Sequence, residues 1–367
     1  MTFLSENPFV NKYFDVIVGD CVESMRAMPD QSVNCVVTSP PYFGLRDYGH
    51  DGQIGLEQTP AEFVAKLVDV FREVHRVLRD DGTLWLNLGD SYAAGKCGRA
   101  DQDRNTRNRD GRNTANATDT GAPMYGQRKI PEGLKPKDLI GIPWLLAFAL
   151  RADGWYLRQE IIWHKLNPMP ESVTDRCTKA HEYLFLLSKS ERYFFDSEAI
   201  KEPAAPSSLA RWAQNVEGQR GSDRVPGKTN GTMKAVGGPR SRRDSFKRDG
   251  SKREQATPGQ GYGTHRPDRV ESSWNTAVRN RRSVWTVATV PYKGAHFATF
   301  PPDLIEPCIL AGAPAGGIVL DPFFGSGTTG QVAQALGRQF IGIELNEAYK
   351  PLQDERLRQP SLLLEAA

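Results

Sequence analysis

Two short segments of this chain hold residue types that could do chemistry together. Thr38-Ser39-Pro40-Pro41-Tyr42 follows the apolar run Val33-Asn34-Cys35-Val36-Val37. Consecutive prolines stiffen a loop and remove backbone donors, which fixes the direction of its carbonyls. Rigid acceptors beside an aromatic ring suit an exocyclic NH2 group, whose lone pair is delocalised into its own ring and is a poor nucleophile. Hydrogen bonds from both amine protons to the Ser39 hydroxyl and the Pro40 carbonyl would draw that nitrogen toward tetrahedral geometry. Tyr42 could stack on a base turned out of a duplex. In isolation, a plain Pro-Pro turn capping a strand has the same sequence.

The second segment is Asp321-Pro322-Phe323-Phe324-Gly325-Ser326-Gly327-Thr328-Thr329, between an apolar run at 317–320 and a helical pattern at 328–336. Gly325 and Gly327 remove side chains that would block close approach of a ligand, and the following helix start offers unpaired N–H groups. The next predicted strand ends in Glu344, placed to accept both ribose hydroxyls of an adenosine. No Gly-Lys-Ser/Thr follows, which disfavours a nucleotide-phosphate loop.

The elements that must position these loops alternate in type. Strands are expected at 14–18, 33–37, 83–88, 155–163, 182–187, 317–320 and 339–343. Helices are expected at 60–79, 136–152, 302–310 and 328–336. Phe63, Leu67, Val70, Val74 and Val77 follow the 3.6-residue period, Thr59 with Glu62 makes a capping box, Pro60 is at the first helical position and Gly82 lies just past the end. The alternation predicts an α/β, Rossmann-like, mostly parallel seven-stranded sheet with helices on both faces. Ser39 and Gly325 would then sit at strand ends, where open α/β sheets bind ligands.

Two stretches interrupt this pattern. Residues 93–130 are rich in Gly, Asn, Asp, Arg and Thr without periodicity, and residues 201–282 are low in aliphatic residues. Between Lys201 and Val290 there are 18 Lys and Arg against 8 Asp and Glu, so the net charge of +3 hides a local excess of about +10. A basic segment on a mildly acidic body suits a polyanion, though solvated loops share that composition. The expected organisation is therefore 1–92, an insertion at 93–130, core at 131–200, a basic recognition region at 201–282 and core again at 283–367. No apolar run reaches 18 residues and no signal peptide is evident, so a cytoplasmic protein with no membrane partner is expected. Five scattered cysteines without a C-x-x-C pair argue against a disulfide framework or a zinc site, and no metal is expected.

The two loops, in this order and with a basic insert between them, resemble motifs IV and I of the β class of amino-group DNA methyltransferases, a circularly permuted motif order. The resemblance covers most of the chain outside the two low-complexity stretches. It implies S-adenosylmethionine as cofactor and double-stranded DNA as partner, with Ser39, Pro40, Pro41 and Tyr42 catalytic. Gly19-Asp20 matches the acidic position for the cofactor's adenine, although alone Asp20 would be an ordinary strand-end residue. His296 to Phe300-Pro301 resembles motif X, which flanks the methionine part of the cofactor. Asp321, Phe323, Gly325, Gly327, Thr328 and Glu344 complete the cofactor set. Ile161 to Lys165 and His181-Glu182-Tyr183 are similar to core segments of the class, where a framework role is expected; His164 and His181 are taken as structural. Ser39 stands where adenine-modifying members commonly carry Asp, which favours cytosine N4 over adenine N6.

Other readings compete. Cytosine C5 methylation needs a thiolate in a Pro-Cys context, and Pro307-Cys308 occurs, but in a helix-like stretch away from any base access. An RNA or protein-amide methyltransferase could use a similar Pro-Pro-Tyr loop. A non-catalytic DNA-binding protein would not need both loops intact. By resemblance the protein is a monomer or homodimer, and a cognate restriction endonuclease is a possible partner. If residues 201–282 supply target recognition, deleting them leaves S-adenosylmethionine binding intact and abolishes methylation of DNA; methylation that survived the deletion would overturn that assignment.

Overall fold

A computed structural model describes residues 14–44, 52–93, 130, 133–212, 277–289 and 300–358. Most of the two insertions and His296 lie outside the described residues. The chain divides into two units, residues 1–200 with 282–367, and residues 201–281. In the second unit, β6 (Glu202–Pro203) pairs antiparallel with β7 (Val278–Arg279), and α4 spans Pro206–Trp212.

The first unit is built on one sheet. Its strands are β1 (Phe14–Val18), β2 (Val33–Thr38), β3 (Leu78–Leu88), β4 (Tyr156–Lys165), β5 (His181–Ser188), β8 (Val284–Val287), β9 (Ile318–Asp321) and β10 (Gln339–Glu344). They lie in the order β1-β10-β9-β2-β3-β5-β4-β8. β1, β10, β9, β2 and β3 run parallel to one another, whereas β5 is antiparallel to both β3 and β4. The expected seven strands are all present and an eighth, β8, joins parallel to β4. β8 escaped the sequence reading because it is four residues long, alternates exposed and buried positions, and adjoins an arginine-rich stretch. At that length a pattern of period two is too short to stand out.

Helices cover both faces, as expected. On one side α1 (Cys21–Arg26), α2 (Pro60–Val77) and α3 (Ile142–Ala152) bury Met25, Phe63, Leu67, Phe71, Leu146 and Leu150 against the sheet. On the other, α5 (Pro302–Gly312) and α6 (Thr328–Ala335) bury Leu304, Ile305, Ile309 and Val332. Each such side chain contributes about 1.5–3 kcal/mol on leaving water. Cys308 is fully buried within α5, its thiol on the Leu304 carbonyl, as a core residue should be.

α2 carries its capping box intact, the Thr59 hydroxyl accepting from Glu62 N and Glu62 accepting from Thr59 N. α3 begins six residues later than the pattern suggests. Gly141 at its N-cap is left-handed (φ +83) and has no side chain to cap the helix. The cap comes from β3's loop instead: Asp90 Oδ1 accepts from the Gly141 and Ile142 amides at 3.0 and 3.1 Å. β3 likewise starts earlier than expected, at Leu78, and takes up a register irregularity against β2 between Val33 and Cys35.

Packing around β10 leaves no room for one extra atom. A Cβ on Gly342 would stand 2.3 Å from Phe324 Cγ, and the Phe324 ring is itself stacked on Phe340 at 5.6 Å. Gly342→Ala is expected to lower stability by about 1–3 kcal/mol through overpacking, read as a fall in the urea midpoint at unchanged slope. An unchanged midpoint would show that the ring is free to move.

Candidate active site

Five consecutive parallel strands end at the same edge of the sheet, and the sequence-predicted residues hang from four of them. β1 leads into Gly19-Asp20, β10 ends in Glu344, β9 in Asp321, and β2 in Thr38 followed by Ser39. Residues about 300 positions apart in the chain thus become neighbours.

The glycine loop is held from every side. Gly325 (φ +51) and Gly327 (φ +88) occupy the left-handed region that side chains disfavour. Glu344 Oε2 accepts from Gly325 N at 2.7 Å, while Oε1 accepts from Asn346 N at 2.9 Å. Phe324 N donates to Ile343 O at 2.9 Å, and its ring fills the space left by Gly330 and Gly342. From the C-terminal helix α7 (Lys350–Arg358), Gln353 Nε2 donates to Gly325 O at 2.7 Å, and Arg356 donates to the hydroxyls of Ser326 and Thr328. Thr328 is buried beneath that guanidinium. Phe323 is half-buried and packs against the core on the α2 side.

Asp321 is 1% exposed. Its Oδ1 accepts from the Thr38 hydroxyl at 2.6 Å and from Phe323 N at 3.1 Å, and its Oδ2 accepts from the Thr329 hydroxyl at 2.6 Å. Burial pushes its pKa up to about 6, only partly offset by these donors. Its oxygens are therefore spent on joining the end of β2 to the glycine loop. Asp20 is exposed and caps α1, Oδ1 accepting from Val22 N and Glu23 N at 2.9 and 3.0 Å, which leaves Oδ2 outside those bonds. Phe300 packs on the core on the α5 side and Pro301 is the N-cap of α5.

In the second loop Pro40 is buried while Ser39, Pro41 and Tyr42 are half-buried. The Tyr42 ring lies against the backbone at Gly89, where a Cβ would be 2.6 Å from Cε2. Its hydroxyl donates to Glu182 Oε2 at 2.7 Å, with Asn87 Oδ1 at 3.3 Å, and the nearby Ser39 side chain favours the ionised phenol. Burial and the Glu182 charge hold the phenol pKa well above its ordinary value. Glu182 Oε1 accepts from Lys165 Nζ at 2.5 Å, and that ammonium sits 4.5 Å from the Trp163 ring centre. His164 Nδ1 is 3.2 Å from the Thr286 hydroxyl, and His181 packs edge-on against Tyr183, its pKa lowered by burial and by Lys179. Among the described residues, no three His, Cys, Asp or Glu side chains are grouped to hold a metal ion.

Sequence reasoning missed Thr38, Asn87, Glu182, Gln353 and Arg356. Glu182 carries a signal, a carboxylate inside the apolar run of β5, which in the sequence alone reads as framework. Gln353 and Arg356 had none, because an Arg or Gln on a polar terminal helix is ordinary.

A family model described as DNA methylase, of N6- and N4-directed methyltransferases, matches residues 33–355. The type II methyltransferase M.SmaI of Serratia marcescens is 44% identical over 342 residues, covering 93% of this chain and 90% of its own. M.Cfr9I of Citrobacter freundii, also a type II methyltransferase, is 45% identical over 340 residues, 93% of this chain and 86% of its own. Among solved structures, the cytosine-N4-specific PvuII DNA methyltransferase superposes with a TM-score of 0.56 at 16% identity, covering 96% and 88% of the two chains. A Thermus thermophilus protein complexed with S-adenosyl-L-methionine gives 0.50 at 21% identity, covering 94% and 93%. Those two likenesses concern the fold, an α/β methyltransferase sheet; the match along the sequence decides the family, and this chain belongs to the DNA methylases of the N6/N4 class.

Proposed function

We propose that this enzyme transfers the methyl group of S-adenosylmethionine to the exocyclic amine of a base turned out of double-stranded DNA, and that cytosine N4 is the atom modified. The observation that carries the reading is the pair of hydrogen bonds from Thr38 and Thr329 to Asp321, which lock the amine-accepting loop and the glycine loop at one sheet edge.

The residues fit the cofactor. The glycine loop has a backbone that side chains would obstruct, and carboxylates stand at the ends of the adjacent strands β1 and β10. Gly325 and Gly327 would let the cofactor approach the backbone, Glu344 would accept from its ribose, Asp20 from its adenine, and Phe300 with Pro301 would flank its methionine part. When bound, S-adenosylmethionine supplies a methyl group made electrophilic by its sulfonium. The protein's part is positioning and polarisation. Ser39 Oγ and the Pro40 carbonyl accept the amine protons, Pro40 and Pro41 keep those acceptors still, and Tyr42 supports the base. Asp321 and Thr328 act through the loops they hold rather than on the cofactor directly.

Ser39 in place of an aspartate supports cytosine. The relatives that match most of the chain are type II methyltransferases, which supports a cognate restriction endonuclease as partner and the cytoplasm as site of action. No helix among the described residues is long and apolar enough to cross a membrane. Nucleoside mass spectrometry on DNA from cells expressing the protein is expected to show N4-methylcytosine, absent from a Tyr42→Ala control. N6-methyladenine in its place would move the reaction to adenine, and the absence of both marks would refute a DNA amine as substrate.

The Asp321 clamp has a pH signature. Its folded pKa of about 6 exceeds the ordinary 3.8, so the folded chain binds this proton more tightly than the unfolded one. Its contribution to stability is full below about pH 4 and is lost as pH rises through about 6, a swing on the order of 3 kcal/mol. Asp321→Asn keeps one acceptor oxygen, replaces the other with an NH2 that a turned threonine hydroxyl can accept from, and removes the charge. Wild type is expected to gain on this variant by about 1–1.5 kcal/mol between pH 7.5 and pH 5 in urea unfolding. A difference independent of pH would mean that Asp321 does not carry a buried charge at neutral pH.

A further inference from the structure

We propose that Ser39, Tyr42 and Glu182 form a path by which the amine sheds its surplus proton, ending on a carboxylate anchored by Lys165. The proposal rests on the reading that the Ser39–Tyr42 loop receives the amine.

Methylation of an amine requires such a path. As the N–C bond forms and the C–S bond breaks, sulfur keeps the bonding electrons and the nitrogen is left with one proton too many. That nitrogen had its lone pair delocalised into the base, so its protonated form is a strong acid and a weak acceptor suffices. The proton passes to Ser39 Oγ as the Ser39 hydroxyl proton passes to Tyr42 Oη and the phenol proton passes to Glu182 Oε2. Each hydroxyl gains one proton and loses one, so the only net change is a carboxylate becoming a carboxylic acid.

The geometry suits this sequence. The phenol hydroxyl donates to Glu182 at 2.7 Å, and the Ser39 side chain lies near enough to favour the ionised phenol. A phenol whose ionised form is strongly disfavoured can only relay, accepting and donating together. The other acceptor near it, Asn87 Oδ1 at 3.3 Å, is an amide and does not take up a proton, so the path ends on Glu182. Lys165, 2.5 Å from the other carboxylate oxygen, holds the group in place. The side chain of Glu182 retains 14% exposure, a route for the proton to water.

Two variants separate proton uptake from simple support of the ring. Tyr42→Phe keeps the ring and breaks the path. Glu182→Gln keeps an acceptor for the Tyr42 hydroxyl and removes the base. Each is expected to slow single-turnover methyl transfer by about 100-fold with dissociation constants for S-adenosylmethionine and duplex DNA unchanged. The double variant should be no slower than either single one, because one path is broken once. A second readout needs no turnover. In protein carrying 13C-labelled tyrosine, with Tyr42→Phe to assign the signal, Glu182→Gln should bring the Tyr42 phenol titration to lower pH. Wild-type rates in Glu182→Gln or Tyr42→Phe, additive losses in the double variant, or an unmoved phenol titration would overturn the path. If Tyr42→Ala is inactive while those variants keep the wild-type rate, the relay alone fails. If wild type does not methylate duplex DNA, or Tyr42→Ala retains full activity, the reading beneath it fails as well.

Discussion

A carboxylate with almost no contact with water, receiving hydroxyl donors from two different elements, sets the geometry on which the rest of this site depends. Asp321 closes β9, yet its oxygens reach sideways to Thr38 at the end of β2 and forward to Thr329 in the first turn of α6. The first bond fixes where the Ser39 loop leaves the sheet, and the second fixes where the glycine loop turns into its helix. Taking a carboxylate out of water is costly, which the elevated pKa of about 6 records. Structure of that kind persists when the surrounding donors over-determine it, and three donors do so here.

The remaining contacts extend the same logic outward. Glu344 and Gln353 grip the Gly325 peptide from its N–H and from the carbonyl. Arg356 engages the hydroxyls of Ser326 and Thr328, so the terminal helix α7 is a structural part of the loop. On the other side of the edge, Glu182 and Asn87 engage the hydroxyl of Tyr42. The two loops that would meet a base and a cofactor are therefore set before either arrives. For a reaction in which the protein contributes alignment and polarisation, preorganisation of this sort is where rate enhancement originates.

What could be read ahead of the structure follows the range of each signal. α2 was legible because Thr59, Pro60, Glu62 and the apolar stripe are all local, and each acts within one or two turns. The glycine loop was legible because a left-handed φ at Gly325 and Gly327 is a backbone requirement written in residue type. The start of α3 was misread because its cap is Asp90, about 50 residues upstream, brought there by β3. β8 was missed because four residues give an alternating pattern no length in which to show itself. Glu182 was seen but set aside, since its importance lies in a partner 140 residues away.

The sequence by itself determined which chemistry was available: the residue types of the Ser39–Tyr42 loop, the turn at Gly325–Gly327, and the acidic residues at two strand ends. These depend on covalent structure and on neighbours within a few positions. Tertiary structure alone decided what those residues do with their polar atoms. It tied Asp321 to Thr38 and Thr329, covered Thr328 with Arg356, and placed the Tyr42 hydroxyl on Glu182 beside Lys165. The physical reason is the strand order. Parallel strands put residues distant in sequence side by side at one edge, and a buried polar atom must find its partner among whatever that packing brings within hydrogen-bonding distance.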